Sequence, residues 1–208
     1  MFHVKHPDWL GSAASLGIDL PREALHGLSA FESLLRDRAI PLGLIAPIDE
    51  PALRERHILD SLRAQPLIEG SAAGAIVVDI GSGAGLPGIP LAIASPGLRF
   101  VLAERRRARV AFLELVVEEL ALANVTIHAG PAELVSPGAD LCLARAFGDF
   151  QRSWAVASRL LRTGGSLLYW AGRRWQPVAD VPPGASVQVR ATPGLANTGP
   201  IVIMSRQW

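Results

Sequence analysis

The feature that most constrains this 208-residue chain is a short apolar run that contains one acid and is followed by alternating glycines. Residues 75–80 are apolar except for Asp79, and Gly81, Gly83 and Gly85 come next. A run of this length is typical of a buried strand, and glycines let the backbone turn tightly and approach a ligand closely. A strand, a glycine-rich turn and a helix form the nucleotide-binding arrangement of open α/β sheets.

The spacing of the glycines separates two kinds of nucleotide site. A dinucleotide-binding turn has the pattern Gly-x-Gly-x-x-Gly, whereas here one residue separates Gly83 from Gly85. An acid and alternating glycines after an apolar strand resemble the first motif of S-adenosylmethionine-dependent methyltransferases. We therefore expect a sulfonium nucleoside at this turn, and a glycine turn without a ligand is the alternative.

Apolar runs and helical patterns alternate along the rest of the chain. The predicted strands lie near residues 75–80, 99–103, 124–128, 140–144, 166–170, 186–190 and 200–205. Such alternation indicates a largely parallel sheet with helices on both faces, and the last two strands fit an antiparallel edge. The expected fold is α/β: a Rossmann-like, class I methyltransferase fold with a mostly parallel seven-stranded sheet.

Helical patterns also precede the first strand. Apolar residues recur at helical spacing over 21–38 and again over 51–67, and residues 1–20 are expected to form a loose tail with a short helix. A linker of small residues follows the second helix. We therefore expect an N-terminal helical extension over 1–70 and a methyltransferase domain over 71–208.

Composition narrows the possible cellular setting and partners. No apolar run approaches the roughly 18 residues that a membrane span needs. The single cysteine, Cys142, excludes an internal disulfide and a multi-cysteine zinc site. The net charge of +1 does not by itself indicate a polyanionic partner. We expect a cytoplasmic monomer that uses neither a membrane nor a metal.

Glu104 ends the second predicted strand, roughly twenty residues after the glycine turn, where an acid can accept both hydroxyls of a ribose. It also precedes a helix, whose dipole favours a carboxylate at that end. Cations at a helix start oppose the dipole, so the arginines that follow are either solvated or matched by an anion such as RNA phosphate. These arginines are Arg105, Arg106, Arg107 and Arg109.

Two further residues follow predicted strands at the carboxyl edge of the sheet. Glu133 comes after the third strand, where an acidic group can meet the amino group of adenine, and a plain surface glutamate is the alternative. Arg145 comes after the fourth strand and can bind an anion or the carboxylate of the cofactor. The alternative for Arg145 is that its aliphatic part packs on the strand while its guanidinium group is solvated.

Basic and aromatic side chains alternate after the fifth predicted strand. Arg173 and Arg174 lie between Trp170 and Trp175. Guanidinium groups beside aromatic rings suit an unpaired base and its phosphates. The tryptophans could equally cap the hydrophobic core.

Together these residues resemble the bacterial glucose-inhibited division protein B family, the small-subunit ribosomal RNA guanine-N7 methyltransferases. The likeness covers about residues 40–172. The stretches that carry it are residues 79–91, residues 57–62, Glu104 with Arg109, Phe112 and Leu113, and Asp140 with residues 144–147.

The resemblance implies a cofactor, a partner and a reaction. The cofactor is S-adenosyl-L-methionine, held by the turn of Asp79, Gly81, Gly83, Gly85 and Leu86, by Glu104 at the ribose, and by Ala132, Glu133 and Arg145. The partner is 16S ribosomal RNA or the small ribosomal subunit, with Arg105, Arg106, Arg109, Arg173 and Arg174 as candidate RNA contacts. Guanine N7 has a lone pair and no proton, so no proton shuttle is expected, and Arg145 is the candidate for orienting substrate or cofactor.

Two departures from the family pattern keep other functions open. Ala171 stands where a lysine is usual, and residues 41–47 lack the usual Asn-Leu-Thr. They bear on the RNA contacts more than on the cofactor site. The alternatives are a small-molecule methyltransferase and a non-catalytic module that binds cofactor or RNA.

Overall fold

The computed structural model describes residues 9–176, 181–190, 195 and 198–207. Its strands are β1 Ile76–Ile80, β2 Arg99–Glu104, β3 Val125–Ala129, β4 Ala139–Arg145, β5 Leu161–Trp170, β6 Ala185–Arg190 and β7 Ile201–Arg206. They form one seven-stranded sheet in the order β3-β2-β1-β4-β5-β7-β6. Strands β1 to β5 pair in parallel, and β7 runs antiparallel between β5 and β6. The predicted Rossmann-like α/β fold is confirmed.

Helices cover both faces of this sheet. They are α1 Trp9–Ala14, α2 Ala24–Leu34, α3 Asp60–Leu62, α4 Gln65–Ile68, α5 Gly88–Ala94, α6 Arg107–Glu119 and α7 Phe150–Leu160. Turns of 3₁₀ or π type lie at Leu35–Ala39, Pro47–Ala52, Arg54–Leu59 and Ala132–Leu134. Within the described part of the chain, no helix has the length and apolar character that a membrane span requires.

Alternate residues of each strand serve different cores, because successive side chains point to opposite faces of a sheet. On one face, Val77, Leu102 and Leu143 share a buried cluster with side chains from α1, α2, α5 and α6. On the other face, Val78 and Cys142 pack with side chains from α7. The carboxyl ends of the parallel strands therefore emerge at one edge between these two layers.

The N-terminal segment packs more closely than the sequence suggests. Residues 1–8 of the expected loose tail lie outside the described residues, but Trp9 and Ala13 of α1 are buried. The indole nitrogen of Trp9 donates to Ser29 Oγ at 2.8 Å, and the guanidinium of Arg54 lies 4.8 Å from the centroid of the Trp9 ring. The short helix expected within residues 1–20 is confirmed by α1, whereas the expectation of a loose tail is wrong for the part that is described. The boundary between 1–70 and 71–208 stays a prediction.

The single helix predicted over 51–67 is wrong, because the chain forms several shorter helical turns there. Its central part, residues 54–62, joins the π-type turns of Arg54–Leu59 to α3, and we call it the bridging helix. Pro66 has no N–H to donate to Leu62, so the helix cannot continue through it. Pro66 instead lies in the first turn of α4, which begins a new helix.

Strand β5 begins earlier than predicted. The sequence Thr163-Gly164-Gly165 suggests a turn that ends the preceding helix, but these residues lie inside β5. The pairing of β4 with β5 shifts register between Ala139 and Leu141. A Cβ on Gly165 would lie 3.0 Å from the carbonyl oxygen of Ala139. The glycine therefore serves a close strand approach at an irregularity rather than a turn.

Candidate functional site

The turn after β1 explains why its glycines alternate. Gly81, Gly83 and Gly85 have φ angles of 71°, 59° and 85°, in the left-handed region that favours glycine. The backbone N–H groups of Gly81 and Ser82 donate to the carbonyl of Ala103 at 2.9 and 3.0 Å. The turn is therefore tied to the end of β2, where the backbone of Gly81 borders a cavity.

Asp79 lies beneath this turn and is 1% exposed. Its Oδ2 accepts from the backbone N–H of Gly88 at 3.0 Å, at the start of α5. Its buried Oδ1 has no hydrogen-bond partner among the described residues. Burial raises the pKa of Asp79 to about 7, although the Gly88 hydrogen bond and the charge of Arg145 oppose that rise. A cationic or donating group would satisfy the free oxygen.

A cavity of about 490 Å³, which we call the first cavity, opens at the carboxyl ends of the strands. Gly81 and Glu104 border it on one side, Ala132 and Glu133 come from the turn after β3, and Phe147 follows β4. Four arginines complete its lining: Arg105, Arg106, Arg109 and Arg152. Of the predicted cofactor residues, Gly81, Glu104, Ala132 and Glu133 therefore meet at this cavity. Its lining does not include Asp79, Gly83, Gly85, Leu86 or Arg145.

Glu104 is the most firmly held side chain of the first cavity and is 5% exposed. Its Oε1 accepts from the backbone N–H groups of Arg105 and Arg106 at 2.8 and 2.9 Å. Its Oε2 accepts from Gly83 at 3.1 Å and lies 3.5 Å from Nη1 of Arg109. The carboxylate thus accepts from backbone N–H groups just before α6, in agreement with the interpretation that it favours this helix start. It also borders the first cavity.

Phe147 and Arg152 were not predicted as site residues. The Arg152 guanidinium lies 5.3 Å from the centroid of the Phe147 ring, and both side chains line the first cavity. Asp149 caps α7 by accepting from the backbone N–H of Arg152 at 2.7 Å. The aspartate before a helical pattern is a sequence signal for this helix start. It places Arg152 in a first turn at the carboxyl edge.

A second cavity of about 830 Å³ lies next to the first. Its lining includes Arg145 at the end of β4, Trp170 at the end of β5, Arg173 beyond it, and residues of the bridging helix. Ala146 lines both cavities and has a φ of 53°, which is unusual for a residue with a Cβ. Backbone strain of this kind often accompanies functional sites.

Arg145 is held by the bridging helix. Its Nη2 donates to the carbonyl of Arg56 at 2.7 Å, and its Nη1 lies 3.2 Å from the carbonyl of His57 and 3.3 Å from Ser61 Oγ. Its Nε lies 3.3 Å from Oδ2 of Asp60. Burial lowers the pKa of Arg145, while Asp60 and Asp79 counteract that fall. The head is therefore not freely solvated, and its contact with a cofactor stays a prediction.

His57 touches the same guanidinium. Nη2 of Arg145 lies 3.2 Å from Nδ1 of His57, and an arginine can only donate, so Nδ1 must accept. On its other side, Nε2 lies 3.3 Å from Oδ2 of Asp49. Burial and the charges of Arg145 and Arg56 lower the pKa of His57, although Asp49 opposes this. The imidazole is therefore neutral at pH 7.

The basic and aromatic residues after β5 separate into two groups. Trp170 is buried, and its indole nitrogen donates to the carbonyl of Asp60 at 2.9 Å. Trp175 packs 6.2 Å from Phe150, measured between ring centroids. Arg173 and Arg174 are exposed, and Arg173 lines the second cavity. The RNA contacts predicted for these two arginines stay predictions.

The first cavity suits the nucleoside that the resemblance implies. Glu104 presents a fixed carboxylate that can accept from ribose hydroxyls, and Asp79, which is buried outside the lining, supports the turn through its hydrogen bond with Gly88. A Cβ on Gly81 would lie 2.6 Å from Cδ2 of Phe147 and would fill part of the cavity wall. The residues present therefore fit S-adenosylmethionine. Among the described residues, no group of three or more histidine, cysteine, aspartate or glutamate side chains could hold a metal ion.

Comparison with known proteins agrees with this geometry. The ribosomal RNA small subunit methyltransferase G of Clavibacter michiganensis is 39% identical over 168 residues, covering 80% of this chain and 74% of the relative. The protein of that name from Methylococcus capsulatus is 38% identical over 180 residues, or 85% of each chain. The fold resembles the solved structure of a SAM-dependent methyltransferase from Aquifex aeolicus, with a TM-score of 0.57 and 16% identity over 79% of this chain and 97% of the other.

The family assignment rests on a match to a family model. The model described as GidB, rRNA small subunit methyltransferase G, covers residues 25–177. That range contains the bridging helix, the glycine turn and most of the lining of both cavities. The chain belongs to the GidB family of rRNA small subunit methyltransferases.

Proposed function

We propose that this chain transfers a methyl group from S-adenosyl-L-methionine to N7 of a guanine in 16S ribosomal RNA, as free RNA or within the small ribosomal subunit. The relatives are named as methyltransferases of this RNA's subunit. The observation that supports the proposal most is the pair of adjacent cavities at one sheet edge. One is bordered by Glu104 and the glycine turn, and the other by arginines.

The first cavity holds the methyl donor in this proposal. Glu104 accepts from the ribose hydroxyls, and Ala132 and Glu133 meet the adenine. The turn from Gly81 to Leu86 lies along the donor, and Asp79 holds this turn against the start of α5 through its hydrogen bond with Gly88. When bound, S-adenosylmethionine supplies a methyl group that its sulfonium activates for transfer.

The second cavity receives the target nucleotide. Four arginines, Arg56, Arg63, Arg145 and Arg173, line it against the two carboxylates of Glu55 and Asp60. Guanidinium groups suit the phosphates of an RNA chain. Arg105, Arg106 and Arg109, together with the exposed Arg174, extend the basic surface outside this cavity.

The reaction requires that the reacting atoms be aligned, and it does not require a proton transfer. Guanine N7 carries no proton, so no residue needs to act as a general base. Arg145 and Ala146, at the boundary between the cavities, orient the base so that N7 faces the first cavity. Holding the reacting atoms in line and excluding water supply most of the rate enhancement.

These roles divide the chain into two parts. We assign residues 1–70 to a helical extension that supplies one wall of the second cavity, and residues 71–208 to the methyltransferase domain. The protein acts in the cytoplasm as a monomer and uses no metal.

The test is methyl transfer with a labelled donor. Purified protein is mixed with labelled S-adenosylmethionine and with small subunits, free 16S RNA or a metabolite extract, and modified guanines are mapped by mass spectrometry. We expect N7-methylguanine in the RNA or subunits. Label in metabolites alone would indicate a small-molecule methyltransferase, and donor binding without transfer would indicate a non-catalytic module.

A further inference from the structure

Asp60 connects the bridging helix to the ends of two neighbouring strands. It is 7% exposed, and its Oδ2 lies 3.3 Å from Nε of Arg145, at the end of β4. Its carbonyl oxygen accepts from the indole nitrogen of Trp170, at the end of β5, at 2.9 Å. One residue therefore sets the distance between the bridging helix and the sheet edge where both cavities open.

The carboxylate of Asp60 is shared by two guanidinium groups. Its Oδ1 accepts from Nη1 of Arg63 at 2.7 Å, and Arg63 is 3% exposed. Arg63 also donates to the carbonyl of Gly199 at 2.8 Å. A buried arginine is costly unless a carboxylate accompanies it. One carboxylate therefore serves two cations, one at the end of its own helix and one at the end of β4.

Arg145 pairs with one carboxylate. Asp60 reaches it from the bridging helix, with Oδ2 lying 3.3 Å from Nε of the guanidinium. The hydrogen bonds from Arg145 to Arg56, His57 and Ser61 go to uncharged acceptors, which direct the guanidinium less strongly than a charge does. Loss of the Asp60 charge would leave the guanidinium with hydrogen bonds to uncharged acceptors, which fix its orientation on the wall of the second cavity less firmly.

We propose that Asp60 is a positioning residue for the reaction: its carboxylate holds the Arg145 guanidinium on the wall of the second cavity in the orientation that receives the target nucleotide. This inference rests on the proposed function. It gives a role to Asp60, which lies in residues 57–62, one of the stretches that carry the family resemblance. It also explains why a helix outside the sheet carries a buried acid at this edge.

The chain contains a matched control for the test. Glu32 is also a 7% exposed carboxylate with two arginine partners. It accepts from Arg36 at 3.1 Å and from Arg54, the first residue of the bridging helix, at 2.8 Å, and these three residues line neither cavity. Asp60→Asn and Glu32→Gln therefore remove the same kind of buried charge, one paired with Arg145 and one paired with other arginines.

The experiment measures steady-state methylation of small subunits for the wild type, Asp60→Asn, Asp60→Glu and Glu32→Gln, with the folded fraction of each determined by circular dichroism. We expect Asp60→Asn to lower kcat/KM for the subunit about tenfold to a hundredfold, the usual effect of a misplaced orienting group. Its Kd for S-adenosylhomocysteine should stay within about twofold. Asp60→Glu, which keeps the charge, should recover part of the loss.

Three results separate the possible failures. If the wild type methylates neither subunits nor RNA, the proposed function itself is refuted. If the wild type is active and Asp60→Asn matches Glu32→Gln in kcat/KM per folded molecule, Asp60 is structural and the inference is overturned. If Asp60→Asn does not fold, Asp60→Glu decides: a kcat/KM equal to that of the wild type refutes the positioning role, and a reduced value with unchanged cofactor Kd supports it.

Discussion

The ionisation of Asp79 should make the stability of this protein depend on pH in a specific direction. Burial raises the pKa of Asp79 from 3.8 to about 7 in the folded protein. Between about pH 4 and pH 7 the unfolded chain has lost this proton while the folded chain keeps it. The folded state then binds more protons, so the free energy of unfolding falls as the pH rises through this window.

The size of the effect follows from the shift. A change of about three pKa units corresponds to about 4 kcal/mol, which is fully lost above pH 7. Asp79→Asn cannot ionise, so its stability should lack this decline. Urea unfolding of both proteins at intervals from pH 4 to pH 8 gives the difference directly. Whatever the variant costs at pH 4, its stability relative to the wild type should improve by about 4 kcal/mol by pH 8.

A control of opposite sign is available. Partial burial of Asp140 acts to raise its pKa, but hydrogen bonds from Ile76 and Arg162 outweigh that effect and lower the pKa. Its contribution to stability is present above the unfolded pKa and lost as the pH falls, so Asp140→Asn should lose stability relative to the wild type mainly at neutral pH.

Parallel stability profiles for Asp79→Asn and the wild type would refute the reasoning, because the Asp79 carboxyl would then ionise as freely in the folded protein as in the unfolded chain.

Three further predictions concern the RNA surface, the second cavity and the packing beneath the turn. Arg106→Ala, at an exposed side chain, should weaken RNA binding and lower the slope of log Kd against log salt by about 1, measured by fluorescence anisotropy. Protonation of His57 would place a cation against Arg145, and because the pKa of His57 is lowered, methylation should fall only at a pH clearly below 6.5; His57→Gln should lack this fall, and the same fall in both proteins would contradict the prediction. Gly88→Ala should cost about 1–3 kcal/mol of unfolding free energy by overpacking, whereas Gly97→Ala, which has open space around it, should cost less.

The sequence predicted the sheet well because its strands carry strong local signals. The apolar run before Gly81 and the turn at Ser95-Pro96-Gly97 are both patterns that depend on a few adjacent residues. Strands β1 to β4 accordingly begin and end within one residue of the predicted limits. The alternating glycines have the positive φ angles that their spacing implied. Glu104 was placed at the carboxyl edge by its position at the end of a strand.

The bridging helix could not be predicted in the same way. Its end before Pro66 has a local cause, because proline has no N–H to donate, but no local pattern signals the π-type turns of residues 54–59. The contacts of Arg145 with Arg56, His57 and Ser61 join residues more than eighty positions apart. A spacing pattern reports only neighbours along the chain, so it predicted a helix here and not which strand end that helix contacts.

The central claim is that the first cavity binds S-adenosylmethionine through Glu104, and isothermal titration with S-adenosylhomocysteine tests it most directly. The account predicts one site per folded chain. It also predicts that Glu104→Gln weakens binding about tenfold to a hundredfold, because a charge-assisted hydrogen bond contributes about 1.5–3 kcal/mol. No heat of binding from a protein that circular dichroism shows to be folded, or equal affinity for Glu104→Gln and the wild type, would contradict it.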